Sequence, residues 1–264
     1  MNHHDMLEIA LKATALGSEL LESGRPQSVV HKGDRDLVTD VDLRIQRDIT
    51  DYLATAAPNV GLLGEETAHQ IDIAAADYLW VLDPIDGTSN FVHGLPLCAV
   101  SVSLLHHGTP VVAVTRAPFL HRTYHAVQGN GAYLNNTTIT CNAVTDLADA
   151  IISLGDYAVG PDAARRNEHR IALTTALIPR VERIRMFGAA TLDLAFIAEG
   201  AIDACIIMSN KPWDTAAGTL IAAEAGAHIT DADGSPHTHQ SAATIATAPG
   251  ITAQLATLIQ TASS

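Results

Sequence analysis

An apolar run that ends in two closely spaced carboxylates is the feature that most constrains this chain. Residues 79–82 are all apolar and predict the end of a buried strand, which Asp83, Pro84, Ile85 and Asp86 follow directly. Pro84 fixes its own φ and favours an extended residue before it, so the backbone turns where the strand ends. We expect both carboxylates and the Ile85 carbonyl to converge there, and such oxygens suit a hard cation such as Mg²⁺.

The residues after this turn predict an anion site beside the cation site. Gly87 lets backbone approach a ligand closely, and Thr88, Ser89 and Asn90 are residue types that start helices. The free N–H groups at a helix start attract anions such as phosphate. A surface Asp-Pro turn followed by a capped helix explains the two aspartates equally well from these residues alone.

The composition is that of a globular protein with an acid excess. At 264 residues and 47% hydrophobic, the chain can form one large domain or two smaller ones. Its 29 acidic and 15 basic residues give a formal charge of -14, which argues against nucleic acid or an anionic membrane as a partner. Three widely spaced cysteines predict neither a disulfide framework nor a zinc site. The first residues lack the pattern of a signal peptide, so we expect a soluble cytoplasmic protein.

The first part of the chain, residues 1–145, predicts an α+β domain. Apolar residues at helical spacing, followed by strands with short turns between them, are typical of two helices packed on an antiparallel sheet. We expect helices over residues 5–23 and from Thr39 to near Pro58, a loop over 29–36, and strands over 60–64, 98–105, 110–117, 122–127 and 131–141.

The remaining residues, 146–264, predict a second domain of the α/β class. Strands and helices alternate along this part of the chain, and that alternation is typical of a sheet covered by helices. We expect strands over residues 150–154, 181–186 and 202–208 and near Ala227 and Ala243, and helices over 161–177, 191–199, 213–225 and 251–261.

Two other stretches of the first domain carry notable carboxylates. Thr39 and Asp42 have the spacing of a capping box, in which the acidic side chain accepts from a backbone N–H at the helix start. From spacing alone, this structural role explains Asp42 better than a catalytic one. Glu65 and Glu66 follow an apolar strand, and side chains alternate along a strand. We therefore expect one glutamate to face a site and the other to face solvent or a basic partner.

Residues 212–226 predict a helix with an acidic residue on its apolar face. Asp214, Ala217, Gly218 and Ile221 share that face at helical spacing. The helix dipole favours an aspartate in the first turn, which is a structural explanation for Asp214. An unpaired carboxylate on an apolar face is nevertheless costly, so a cation partner is a reasonable inference. The small residues predict close packing against another element.

Four stretches of the chain, taken together, carry a resemblance to a known family. They are Asp-Leu-Val-Thr-Asp-Val-Asp (36–42), Gly-Glu-Glu (64–66), Trp-Val-Leu-Asp-Pro-Ile-Asp-Gly-Thr-Ser-Asn-Phe (80–91) and Trp-Asp-Thr-Ala-Ala-Gly (213–218). In order and spacing they resemble the inositol monophosphatase family of Mg²⁺-dependent, lithium-sensitive phosphomonoesterases. The resemblance extends over nearly the whole chain. It implies a layered αβαβα sandwich with the active site between the two predicted subdomains.

The resemblance also implies a role for each matching residue. The implied metal ligands all supply oxygen atoms and are Glu65, Asp83, the Ile85 carbonyl, Asp86 and Asp214. The implied catalytic residues, which hold and activate the attacking water, are Asp42, Thr88 and Glu65. The implied substrate contacts are Asp86, Gly87, Thr88, Asp214 and the helix start formed by Gly188, Ala189 and Ala190. Lys32 lies in what would be a mobile loop over the site.

Two positions depart from the pattern of the family's inositol phosphatases. Ile207 stands where they often place a glutamate that binds sugar hydroxyls, and Asp156 stands where a serine is common. Mg²⁺-dependent hydrolysis of inositol 1-phosphate is still the leading expectation, with histidinol phosphate and a sugar bisphosphate as alternative substrates. A non-catalytic, metal-binding regulatory protein is the alternative from another class. The resemblance further implies a homodimer that acts on a small phosphorylated metabolite.

Overall fold

Three β-sheets and seven α-helices form the described part of the protein, a computed structural model that describes residues 1–34, 36–67 and 71–262. The helices are α1 (His3–Ser23), α2 (Asp40–Ala56), α3 (Thr88–Val92), α4 (Ala163–Leu177), α5 (Ala190–Ala198), α6 (Pro212–Glu224) and α7 (Thr252–Ala262). The strands are β1 (Val29–Gly33), β2 (Asp36–Thr39), β3 (Gly61–Gly64), β4 (Tyr78–Asp86), β5 (Ala99–His106), β6 (Thr109–Ala117), β7 (Arg122–Val127), β8 (Ala132–Leu134), β9 (Thr137–Ile139), β10 (Ile151–Leu154), β11 (Arg183–Arg185), β12 (Ala204–Ile207), β13 (His228–Thr230) and β14 (Thr244–Thr247). In the described ranges, no helix combines the length and the apolar character needed to cross a membrane.

The two large sheets and their helices pack as five layers. Helices α1 and α2 cover one face of a seven-stranded sheet, and α6 packs on its other face. Helices α5 and α6 also pack against a five-stranded sheet, whose far face is covered by α4 and α7. The αβαβα sandwich implied by the resemblance is therefore confirmed.

The seven-stranded sheet positions the central carboxylates. Its strand order is β3-β4-β5-β6-β7-β8-β9, with β3 and β4 parallel and the other neighbours antiparallel. Every residue of β4 from Leu79 to Asp86 is buried. We predicted that this strand ends at residue 82, but it continues through Asp86, and its pairing with β5 is irregular between Asp83 and Asp86. Pro84 explains the irregularity because it has no N–H to donate to a neighbouring strand.

The five-stranded sheet has both parallel and antiparallel neighbours. Its order is β11-β10-β12-β14-β13, in which β10 is parallel to β11 and β12, whereas β14 is antiparallel to both of its neighbours. Along β12, Ala204 and Ile206 pack in the core cluster that contains α4 and α7, and Cys205 and Ile207 pack in the cluster that contains α5. This alternation follows from the two-residue period of a strand.

The two helices of the middle layer are mostly apolar because sheets lie on both sides of them. Every residue of α5 from Thr191 to Ala198 is buried. Helix α6 approaches α5 closely at Gly218, where a Cβ atom would lie 2.6 Å from the Leu194 side chain. The close packing that we predicted from the small residues of this helix is confirmed.

Two further predictions about secondary structure were wrong. The loop predicted over residues 29–36 is an antiparallel pair of β1 and β2, apart from Arg35, which lies outside the described residues. All of β1 is exposed, so no alternation of buried residues marked it as a strand. The single strand predicted over residues 131–141 is split into β8 and β9, because Asn135 and Asn136 both have positive φ and turn the chain between them.

Candidate active site

The two aspartates of β4 are both buried, but their surroundings differ. Asp83 is 2% exposed, and its Oδ1 atom has no hydrogen-bond partner among the described residues. A carboxylate oxygen in such a place is costly unless a cation or a proton compensates it. The surface Asp-Pro turn that the sequence also allowed is excluded by this burial. Asp83 instead fits the role of a cation ligand.

Asp86 is held by the first turn of α5. Its Oδ1 atom accepts from the Ala190 N–H at 3.1 Å, and its Oδ2 atom accepts from the Thr191 N–H at 2.8 Å and from the Thr191 hydroxyl. The first N–H groups of a helix have no partners inside the helix, so Asp86 caps α5 from a different layer. We expected the Ala190 N–H to face substrate, whereas it donates to Asp86. Thr191 was not predicted as a site residue. The feature that could have indicated it is a hydroxyl side chain in the first turn of a helix that has no side-chain cap.

Asp42 connects the start of α2 with the start of α3. Its Oδ2 atom accepts from the Thr39 N–H at 2.9 Å and from the Thr39 hydroxyl, which confirms the predicted capping box. Its Oδ1 atom lies 3.2 Å from the Thr88 hydroxyl, which is also 2.9 Å from the Ile85 carbonyl oxygen. Burial raises the pKa of Asp42, and the hydrogen bonds from Thr39 oppose that rise. Capping and a position beside Thr88 therefore coexist in one carboxylate.

Gly87 is the residue at which the backbone passes from β4 into α3. Its φ is 82°, and a Cβ atom there would lie 2.7 Å from the Leu97 carbonyl oxygen, so only glycine fits without strain. The same atom would lie 3.2 Å from the Ala189 Cβ and 3.3 Å from the Gly188 carbonyl oxygen. Three of the residues that we predicted to contact substrate therefore lie side by side.

Lys32, on strand β1, forms ion pairs with both Glu65 and Glu66. Its Nζ atom lies 2.9 Å from Glu65, 2.8 Å from Glu66 and 3.4 Å from Asp36. We predicted that the two glutamates face in opposite directions, and this prediction was wrong. Both belong to a 3₁₀ turn that follows β3, so strand alternation does not apply to them. The lysine thus binds the carboxylate of Glu65, which the resemblance implies as a metal ligand.

Asp214 enters the site from the first turn of α6. Pro212 occupies the start of this helix, where its missing N–H costs nothing. Burial raises the pKa of Asp214 well above its usual range, the carboxylates of Asp86 and Glu65 raise it further, and Lys211 opposes them. Asp214 therefore lies within electrostatic reach of the carboxylates contributed by β4 and by the 3₁₀ turn.

The carboxylates raise one another's pKa values. Burial raises the pKa of Asp83 well above its usual range, and Glu65, Asp86 and Asp214 add to the effect. Burial also raises the pKa of Asp86 to about 6, although hydrogen bonds from Thr191 lower it in part. Several converging carboxylates with one unpartnered oxygen form a donor set suited to a divalent cation with oxygen ligands.

A cavity of about 310 Å³ adjoins these carboxylates. Its lining includes Asp86 and Asp214 and the predicted substrate contacts Gly188, Ala189 and Ala190. The volume lies near the lower end of the range for sites that bind small molecules. Carboxylates from the seven-stranded sheet and from α6 therefore meet a small-molecule cavity at the start of α5.

The cavity also contains the two positions that depart from the family pattern. Ile207 and Asp156 both contribute to its lining, and so does the buried carboxylate of Asp193, whose pKa burial raises well above the usual range. Arg170 donates to the carbonyl oxygens of Asp156 and, at 3.0 Å, of Met208. These contacts hold the segment after β10 against the end of β12, so this wall of the cavity is internally connected.

Comparisons with known proteins identify relatives over nearly the whole chain. The model of the inositol monophosphatase family matches residues 2–264. A probable inositol 1-monophosphatase of Mycobacterium tuberculosis is 35% identical over 243 residues, which cover 92% of this chain and 88% of the relative. A fructose-1,6-bisphosphatase/inositol-1-monophosphatase of Thermotoga maritima is 34% identical over 237 residues, which cover 87% of this chain and 86% of the relative.

Solved structures extend this similarity to the arrangement of the layers. The structure of a Thermotoga maritima IMPase superimposes with a TM-score of 0.89 at 30% sequence identity. The match covers 98% of this chain and 98% of that chain. The two proteins therefore share the fold over their full lengths.

Proposed function

This chain belongs to the inositol monophosphatase family of phosphatases, and we propose that it hydrolyses a small phosphate monoester with Mg²⁺ as its cofactor. Inositol 1-phosphate, which would give inositol and phosphate, is the leading substrate. The observation that carries this proposal is the unpartnered Oδ1 atom of buried Asp83, among carboxylates that raise the pKa of that residue. A cation is the group that would neutralise this arrangement while leaving the carboxylates ionised.

The proposed metal ligands supply only oxygen atoms, which is the donor type that Mg²⁺ prefers. They are Glu65, Asp83, the Ile85 carbonyl, Asp86 and Asp214. Bound divalent cations would act as Lewis acids and lower the pKa of the attacking water. The Ile85 carbonyl oxygen is 2.9 Å from the Thr88 hydroxyl, so a proposed metal ligand and a proposed catalytic residue lie in the same backbone turn.

Asp42 and Thr88 would orient and deprotonate the attacking water. Water that donates to the Thr88 hydroxyl oxygen can lose its proton as the Thr88 proton passes to Asp42 Oδ1, 3.2 Å away. The Thr39 hydrogen bonds hold the other oxygen of Asp42, so the carboxylate cannot rotate away. Because burial raises the pKa of Asp42, its carboxylate is a better proton acceptor than an exposed aspartate.

The phosphate and the leaving group would occupy different parts of the site. Backbone N–H groups of Gly87 and Thr88 would donate to the phosphate oxygens. The alcohol would lie in the cavity at the start of α5, with Asp86 and Asp214 on its carboxylate side. Release of the alcohol into this cavity would leave phosphate beside Gly87.

The cavity also supports a second candidate substrate, a sugar bisphosphate. Ile207 presents an apolar side chain where a glutamate would bind inositol hydroxyls, and the Thermotoga maritima relative carries both enzyme names. Histidinol phosphate is a third candidate, because the Asp156 carboxylate in the cavity wall could pair with its amino group. The three substrates differ in charge and size, so one assay can rank them.

The proposal is tested by phosphate release from inositol 1-phosphate, histidinol phosphate, fructose 1,6-bisphosphate and adenosine bisphosphate. Each compound is assayed with Mg²⁺ and with EDTA, using the wild-type protein, Asp86→Asn and Asp77→Asn. The last variant is a matched control, because Asp77 directly precedes β4 and Asp86 ends it.

Turnover of one compound that needs Mg²⁺, is lost in Asp86→Asn and persists in Asp77→Asn would support the proposal and identify the substrate. Turnover in EDTA, or equal turnover by Asp86→Asn, would contradict the metal site. Absence of turnover for every compound and metal would instead favour a non-catalytic, metal-binding regulatory protein.

Four broader features belong to the same proposal. They are a division into subdomains at residues 145/146, a homodimer, a cytoplasmic location and inhibition by lithium. Light scattering of the purified protein measures the dimer directly. Lithium inhibition predicts slower turnover in millimolar Li⁺ at limiting Mg²⁺, and unchanged turnover would remove that part of the proposal.

A further inference from the structure

Three side chains that commonly bind metal ions lie together far from the carboxylates described above. Asp77 precedes β4, His106 ends β5, and His107 begins the turn into β6. One ligand atom from each side chain lies within 4.8 Å of the other two. The Oδ1 atom of Asp77 is 3.3 Å from His106 Nε2 and 3.5 Å from His107 Nε2.

These distances match the edges of a coordination tetrahedron. Imidazole and carboxylate bonds to Zn²⁺ of about 2.0–2.2 Å place neighbouring ligand atoms about 3.3–3.5 Å apart. The two measured edges that meet at Asp77 Oδ1 already have this length. The third edge, between the imidazoles, is at most 4.8 Å, and the His107 side chain, which is 61% exposed, has room to adjust.

Backbone and ring contacts fix the main chains that carry the three ligands and orient the His106 ring. The His107 N–H donates to the Asp77 carbonyl oxygen at 3.1 Å. The His106 ring stacks on Tyr78, its partner across β4 and β5, with 4.5 Å between the ring centroids and 19° between the planes. His107 has a φ of 47°, a conformation that few residues other than glycine adopt, and its ring centroid lies 4.5 Å from that of His106. The pairing of β4 and β5 therefore fixes the main chains that carry the donors, which lose little freedom when an ion binds.

The cluster is separate from the proposed catalytic site. Asp77 and Asp86 lie at opposite ends of β4, and nine residues of extended strand span about 30 Å. Its chemistry also differs, because two of its three donors are imidazole nitrogens, whereas the catalytic donors are all oxygens.

We propose that Asp77, His106 and His107 form a second metal site that binds a transition-metal ion of the Zn²⁺ type and does not bind Mg²⁺. Mixed nitrogen and oxygen donors in a tetrahedron suit Zn²⁺, whereas Mg²⁺ requires octahedral oxygen ligands. The three side chains leave the fourth position to water. The bound ion joins the start of β4 to the turn between β5 and β6. This site does not depend on the phosphatase proposal.

The test is calorimetric titration of the full chain with Zn²⁺ in a non-chelating buffer that contains millimolar Mg²⁺ to fill the carboxylate site. His106→Phe preserves the ring that stacks on Tyr78 and removes the nitrogen ligands. His107→Asn preserves a residue type that tolerates positive φ. We expect one Zn²⁺ per wild-type chain and at least tenfold weaker binding in each of these variants and in Asp77→Asn.

Two controls separate this site from other sources of Zn²⁺ binding. His31→Ala removes an exposed histidine on β1, and Asp86→Asn disrupts the carboxylate site. Both should bind Zn²⁺ as the wild type does, and circular dichroism verifies that every variant is folded. Zn²⁺ binding that is unchanged in His106→Phe and His107→Asn, or that is lost in Asp86→Asn, would overturn the proposal. These Zn²⁺-binding results do not depend on whether the protein has Mg²⁺-dependent turnover.

Discussion

The candidate active site has two regions that collect carboxylates and neutralise them differently. The floor consists of the buried residues Asp42, Asp83 and Asp86. The rim consists of Lys32, Glu65 and Glu66, whose side chains are 27%, 19% and 3% exposed. Within the described ranges, no lysine or arginine forms an ion pair with the floor, whereas one lysine binds both glutamates of the rim. The floor therefore depends on something outside the chain, and the rim does not.

Carboxylate repulsion in the floor and ion pairing in the rim also differ in their expected energies. Two carboxylates about 5 Å apart repel by about 3 kcal/mol at an effective dielectric constant near 20. Such repulsion in the floor can be relieved by a proton or by a metal ion. A partly exposed ion pair such as Lys32–Glu65 contributes at most about 1 kcal/mol, so this pair should affect stability and metal binding only slightly.

The largest expected effect is on kcat, and it distinguishes a catalytic role of Asp42 from its role as a helix cap. Asp42→Asn retains an oxygen that can accept from the Thr39 N–H but removes the base, so kcat should fall by about 10²–10⁴ while the melting temperature changes little. Asp40→Asn is the matched control, because Asp40 lies in the same helix turn and its carboxylate accepts from the exposed Gln27 and Ser28 N–H groups. Retention of more than a tenth of kcat by Asp42→Asn would show that capping is its only role.

The next prediction tests, through Mg²⁺ affinity, whether helix α5 orients the Asp86 carboxylate. Thr191→Val preserves the shape of a buried side chain and removes the hydroxyl that donates to Asp86. Mg²⁺ binding should weaken about 10- to 100-fold, as is typical when a group that orients a metal ligand is lost. Thr219→Val, the same change at a buried position of α6, should leave the affinity unchanged. Equal affinities for the two variants would remove Thr191 from the site.

Protonation of the floor predicts how the metal-free protein responds to pH. Burial raises the pKa of Asp86 to about 6 and raises that of Asp83 well above its usual range. The folded chain therefore holds protons that the unfolded chain releases near pH 4. The free energy of unfolding should be highest below about pH 4 and fall as pH rises through about 6, by about 1.4 kcal/mol per pH unit for each proton.

Urea denaturation in EDTA at several pH values measures this slope. Asp83→Asn should reduce the slope, because it removes one of the titrating groups, and Mg²⁺ should raise stability most at the higher pH values. If the free energies of unfolding of the wild type and Asp83→Asn differ by the same amount at every pH, Asp83 is ionised in the folded protein without metal.

The smallest expected effect concerns the rim. Lys32→Met frees the Glu65 carboxylate for a cation, so the Mg²⁺ concentration for half-maximal turnover should fall about two- to fivefold, with little change in kcat. Lys12→Met, an exposed lysine on α1, controls for the change in net charge. An increase in the required Mg²⁺ would show that Lys32 supports the metal site and does not compete with it.

The floor was largely predictable from the sequence, because its pattern is local. Asp83, Pro84 and Asp86 lie within four residues after an apolar run, and the capping box of Asp42 is equally local. The family resemblance then supplied roles that spacing alone left open. The sandwich of layers was implied by the same resemblance, whereas the order of helices and strands alone predicted only an α+β part followed by an α/β part.

The contacts that connect distant segments could not be predicted. Thr191 is separated from Asp86 by 105 residues, and Lys32 is separated from Glu65 by 33. No local pattern links such pairs, because they meet only when layers pack. The exposed strand β1 was missed for a related reason, since a strand without a buried face shows no alternation.

Mg²⁺ binding measured by calorimetry near neutral pH tests the central claim about the floor most directly. The wild-type protein and Asp77→Asn should bind Mg²⁺ with equal affinity, because Asp77 lies outside the carboxylate site. Asp83→Asn should bind it at least about 100-fold more weakly, because it loses a charged oxygen that has no partner in the described structure. Equal affinity of Asp83→Asn and the wild type would contradict the claim that the buried floor is neutralised by a metal ion.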